Sequence, residues 1–158
     1  MKHSIKVGLS FGLTSGVITT LGVMVGLTAS VGTKLAVFGG ILTVAIADAC
    51  SDSLGIHISE ESEKRHTQKQ VWQSTFATFF TKFLVAFSFL GIIMLFSLND
   101  ALLAGTAWGL ALIGTFSYYI GKENGNGVVR VVSEHITIAV VVIAVAYIVG
   151  DWVRTAFV

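Results

Sequence analysis

The stretch LAVFGGILTVAIADACSDSLGIHI, residues 35–58, decides the fold. It is long and apolar enough to cross a bilayer core, which needs about 20 apolar residues at 1.5 Å of helical rise each. Its apolar residues run continuously instead of alternating, which selects a helix over a membrane β-strand. Two carboxylates, Asp48 and Asp52, nevertheless stand inside it. Acids at that depth call for a partner or a function.

Working outward, four more stretches meet the same length requirement: 5–27, 71–98, 102–120 and 128–153. Turn chemistry separates them, at Ser30-Val31-Gly32, the charged run 59–70, Ser97-Leu98-Asn99-Asp100 and the Asn-Gly repeats of 121–127. The third and fourth spans are so close that they must form a tight hairpin. Bulk composition agrees, with 54% apolar and 12% charged residues and a mean hydropathy of +0.82. A soluble domain carries about a quarter of its residues charged. The reading is therefore an all-α membrane protein, one five-helix domain over residues 1–158, with lipid as its main surroundings. Proline is absent, so no span carries a proline kink. Lys2 and Lys6 before an apolar run resemble a signal peptide, but the run is longer than a signal core, and it is read as a retained first span.

Basic residues predict the orientation. The N-terminus and the second and fourth loops hold Lys2, Lys6, Lys64, Arg65, Lys69, Lys122 and Arg130, whereas the opposite side holds Lys34 and Arg154. That bias predicts N-terminus inside and C-terminus outside. Glycines recur at four-residue spacing as Gly8, Gly12 and Gly16, and again as Gly105 and Gly109. Such spacing allows close helix approach, either within one bundle or across a homodimer seam.

The intramembrane charges are the functional candidates. Asp48 and Asp52 lie one turn apart on one helix face; two such acids repel unless a cation or shared protons relieve them. By helical rise, Asp52, Glu134 and His135 lie roughly 9–10 Å from the inner end of their spans, and Asp48 and Lys82 roughly 15–16 Å. This arithmetic predicts two layers: a Lys82–Asp48 pair, and a shallower group of Asp52, Glu134 and His135. Carboxylates with an imidazole suit Mn²⁺, Fe²⁺ or Zn²⁺ better than a soft ion, so Asp48, Asp52, Glu134 and His135 form the candidate metal set. In the inner loop, His57, Glu60, Glu61 and Glu63 form a candidate capture group, with His66 just beyond and Lys64 and Arg65 offsetting its charge. Cys50 falls on another face of its helix, as a packing residue.

The first span, Gly8-Leu-Ser-Phe-Gly-Leu-Thr-Ser-Gly-Val-Ile-Thr-Thr-Leu-Gly-Val-Met-Val-Gly-Leu27, resembles the first helix of the vacuolar iron transporter family, and Ala146-Tyr-Ile-Val-Gly150 is similar to the end of its fifth. The resemblance implies export of Fe²⁺ or Mn²⁺ from the cytosol by proton exchange, in dimers whose path runs along the two-fold seam. Three departures stand out. Ser15 occupies the place of the family's first-helix aspartate. Asp48 falls on its second-helix methionine, with Asp52 on the carboxylate position four residues later. The long cytosolic metal-binding domain after the second span is missing.

The sequence thus predicts a proton-coupled divalent metal transporter, a homodimer in a prokaryotic cytoplasmic membrane, with lipid, metal ions and protons as partners and no resident cofactor. The net charge of +1 gives no reason to expect nucleic acid. No HExxH, CxxC, phosphate-binding glycine loop or G-x-S-x-G occurs, so no enzyme is expected. Two other readings are a membrane scaffold or partner-binding subunit whose charges are structural, and an intramembrane enzyme with a lipid- or quinone-sized pocket beside the carboxylates.

Overall fold

The computed structural model describes residues 3–63, 65–125 and 127–157. Five helices follow in order: α1 (His3–Ser30), α2 (Lys34–Ser62), α3 (Gln68–Leu95), α4 (Leu98–Asn124) and α5 (Val128–Phe157). All five are long and apolar enough to cross a membrane. At 1.5 Å per residue each is about 40 Å long, a little more than the hydrocarbon core.

The helices run past the expected spans where caps replace breaks. Ser97 is the N-cap of α4, its Oγ accepting from Asp100 N at 3.4 Å and donating to Asp100 Oδ2 at 2.6 Å. Asn99 and Asp100, expected in the turn, therefore sit in the first turn of α4, and only Phe96 and Ser97 join it to α3. The Asn-Gly region likewise stays helical through Asn124 until Gly125, at φ 66°, takes the left-handed conformation that terminates a helix. Thr67 and Gln70 close a reciprocal capping box at the start of α3. At the other end of the bundle, Lys34 Nζ donates to Met94 O and Phe96 O at 3.2 and 3.0 Å, placing a cation on the C-terminus of α3.

α1 is the central helix and packs against all four others, while α2 leans on α1 and α3, and α5 on α1 and α4. The glycines explain this. A Cβ at Gly12 would stand 2.7 Å from Thr78 O, and one at Gly16 would be 3.3 Å from Lys82 Cα. One face of α1 is therefore closed onto α3. Gly105 and Gly109 of α4 receive Met24 and Leu21 of α1, and Gly150 of α5 abuts the backbone of Gly26. All of these faces are occupied inside the bundle. The core is filled by Val17, Leu21, Met24, Ile41, Phe89, Ile93 and Ile113. Several hydroxyls inside the helices donate to their own helix's carbonyls, as Thr78 Oγ1 does to Ser74 O at 2.9 Å.

Candidate functional site

One of the largest buried side chains is a lysine. Lys82, at 2% exposure, rises from α3 into the space between α1 and α2. Its Nζ lies 2.5 Å from Asp48 Oδ2 and also pairs with Asp52 Oδ2. A third contact comes from α1, where Ser15 Oγ accepts from Lys82 Nζ at 2.8 Å and donates to Asp52 Oδ2 at 2.6 Å. One ammonium of α3 thus gathers two carboxylates from α2 and a hydroxyl from α1. The contact with Asp48 is an ion pair without hydrogen-bond alignment, since Asp48 Oδ2 has no aligned donor.

Local sequence makes this possible. Asp48 and Asp52, at i and i+4, share a face of α2, and Gly16 lets the α1 backbone lie against Lys82 itself. The carboxylates are not sealed: their side chains are 29% and 20% exposed, against 2% for Lys82. Beside them on α2, Ser51 and Gly55 are exposed; Cys50, expected as a packing residue, is exposed as well, on the side of the helix away from the acids. Each acid therefore has one edge on the ammonium and another toward the bundle's surface.

The expected two layers are replaced by this single centre. Lys82 takes both aspartates, and Asp52 does not meet Glu134 or His135. Glu134 accepts instead from Arg130 Nε at 2.8 Å on an exposed face of α5. His135 Nδ1 is 2.8 Å from Ser117 Oγ of α4, and its ring lines a cavity of about 220 Å³ with Thr14, Ile18, Ile113 and Ile138. The reason is azimuthal: equal depth puts these residues in one layer, but α1 stands between α2 and α5.

The inner-loop group also divides. His57 Nδ1 is 2.9 Å from Thr75 Oγ1, with its ring edge-on to Trp72. Glu61 accepts from Gln68 Nε2 at 3.2 Å. Glu60 is buried, and Glu63 Oε2 and Glu60 Oε2 lie 3.4 and 3.8 Å from His66 Nε2. Lys64 lies outside the described residues. Among the described residues, no three His, Cys, Asp or Glu side chains are gathered as a metal site.

Ser15 is the participant outside the expected metal set. Its signal in the sequence is its place, one residue before Gly16, where the first-helix resemblance sets an aspartate.

The comparison with family models, with curated proteins and with solved structures found nothing similar in any of the three.

Proposed function

We propose that the chain is a transporter of divalent metal cations, Mn²⁺ or Fe²⁺, with Asp48 and Asp52 as the seat of the ion. One observation carries this reading: two carboxylates within a membrane-spanning helix converge on one buried positive charge. Keeping charged groups at that depth is costly, and hard oxygen donors suit these cations. The likeness of the first helix to vacuolar iron transporters supports a metal cargo. Proton uptake by the same carboxylates would couple the ion's release, as the resemblance implies.

The transporter works as a homodimer in this reading, in a prokaryotic cytoplasmic membrane with its N-terminus inside. The exposed carboxylate edges support the dimer, because acids facing lipid need cover. A second copy across α2 would supply that cover and a second pair of oxygen donors. The basic bias of the N-terminal side supports the orientation.

The test is Mn²⁺ and Fe²⁺ flux in proteoliposomes. Asp52→Asn should abolish flux while leaving the folded protein intact, and unchanged flux would remove Asp52 from the path. A second reading has its own support, because Lys82 contacts both acids and a satisfied ion pair can serve as helix glue. A scaffold would show no metal-dependent thermal stabilisation, whereas a specific site raises stability by mass action.

A further inference from the structure

Lys82 stands where the cargo would stand. Its ammonium lies between the two carboxylates, and among the described residues Asp48 and Asp52 are its ionic partners, with the Ser15 hydroxyl its further contact. The side chain is 2% exposed and Gly16 packs on its stem, so it is built into the α1–α3 contact. A lysine needed only to join α2 to α3 could pair with one acid and leave the other site neutral. Here two acids share one lysine, leaving the centre one negative charge in excess.

We propose that Lys82 is a tethered counter-ion, which occupies the cation seat in the empty carrier, yields it to the incoming metal, and reoccupies it on release. The inference rests on the metal-transport reading above and departs from its proton coupling: Lys82, and not proton uptake by the carboxylates, offsets the charge of the empty site as it crosses back. The charges show why. With both acids ionised, the empty centre carries −1 with Lys82 and −2 without it. With a divalent ion bound it carries +1 with Lys82 and zero without it. The cost of holding charge in a low-dielectric medium grows with the square of the charge. Lys82 thus lowers the empty centre's cost about fourfold, while adding repulsion to the loaded one. Loaded and empty states then carry charges of equal size, so neither is a trap. Without Lys82 the loaded state is favoured and the empty one is stranded.

The experiment separates two fluxes in proteoliposomes with Mn²⁺ as the only divalent cation and the membrane potential clamped. Counterflow of labelled against unlabelled Mn²⁺ needs only the loaded carrier to move; net efflux also needs the empty carrier to return. Lys82→Gln is expected to hold counterflow at saturating Mn²⁺ at or above the wild-type rate, because its loaded centre is neutral, to lower the half-saturating Mn²⁺ concentration about tenfold, and to cut net efflux tenfold or more, as loss of a unit-charge repulsion at contact distance implies. A merely structural lysine would lower both fluxes together. That outcome, or both fluxes unchanged, overturns the proposal. Wild-type protein that moves Mn²⁺ in neither mode would overturn the transport reading itself, a distinct result.

If Lys82→Gln does not fold, the double variant Lys82→Gln/Asp48→Asn leaves one buried acid instead of two. Its empty and loaded charges, −1 and +1, equal those of wild type. Its ratio of net efflux to counterflow should therefore match wild type, although at higher Mn²⁺ concentration; a ratio tenfold lower would overturn the proposal.

Discussion

Lys82 Nζ of α3 stands 2.5 Å from Asp48 Oδ2 of α2, and the same ammonium also holds Asp52 one helical turn further on. The stability of the bundle should depend on this charge. Lys82→Met leaves two acids uncompensated. Breaking a buried ion pair costs about 3–5 kcal/mol, and the partial exposure of the aspartates reduces this to about 2–3 kcal/mol. Thermal unfolding in detergent should show a clear drop for Lys82→Met. The triple variant Lys82→Met/Asp48→Asn/Asp52→Asn should recover most of it. Failure to recover would mean that lost packing of the lysine stem, not charge, sets the cost.

Close approach of α1 to α3 gives a second prediction. Gly12→Ala places a Cβ 2.7 Å from a backbone oxygen, which can yield only by moving a helix; overpacking of this kind costs about 1–3 kcal/mol. A Cβ at Gly91 of α3 meets nothing within 4 Å. Gly91→Ala should therefore be neutral, or stabilising by up to about 1 kcal/mol through helix propensity. Equal effects of the two substitutions on the unfolding midpoint would contradict the packing described.

The two acidic positions of the sequence reading should separate by flux. Asp52→Asn is expected to lower Mn²⁺ flux at least tenfold, whereas Glu134→Gln should retain at least half, because Glu134 is paired with exposed Arg130 away from the centre. These factors correspond to about 1.4 and 0.4 kcal/mol. Equal losses would restore Glu134 to the path.

The dimer reading has a covalent test in the variant Cys50→Ser/Ser51→Cys, which moves the chain's single thiol from the far side of α2 to the exposed rim beside Asp48 and Asp52. A short thiol-to-thiol crosslinker applied in native membranes should give one band at twice the monomer mass. Capture that falls off on dilution into excess lipid, as random collision does, would put the seam elsewhere.

Ser97→Ala removes the N-cap of α4 and its link to Asp100. The expected cost is about 1 kcal/mol, read as a lower unfolding midpoint with no change in metal affinity.

The particular residues show how far one dimension reaches. Asp48 and Asp52 were legible as one face of α2 because helical period fixes residues four apart. Lys82 was legible as the partner of Asp48 by depth and charge. That it holds both acids was not legible, because depth does not give the angle around the bundle. For the same reason Glu134 and His135 were drawn into a group with Asp52, although α1 lies between. Ser15, noted only as standing in place of an aspartate, is outside the expected set because a serine in a membrane helix normally bonds its own backbone; the packing at Gly16 brings its hydroxyl to Lys82 and Asp52.

By itself, the sequence determined the five helices, because bilayer thickness demands long apolar runs and apolar surroundings demand internally satisfied backbone. It determined as well that charges would lie inside them. Tertiary structure alone decided which charges meet. A helix of known length is still free to rotate about its axis, and that rotation is set by the glycine faces of α1 closing on α3. From this packing follows the one centre where Ser15, Asp48, Asp52 and Lys82 come together.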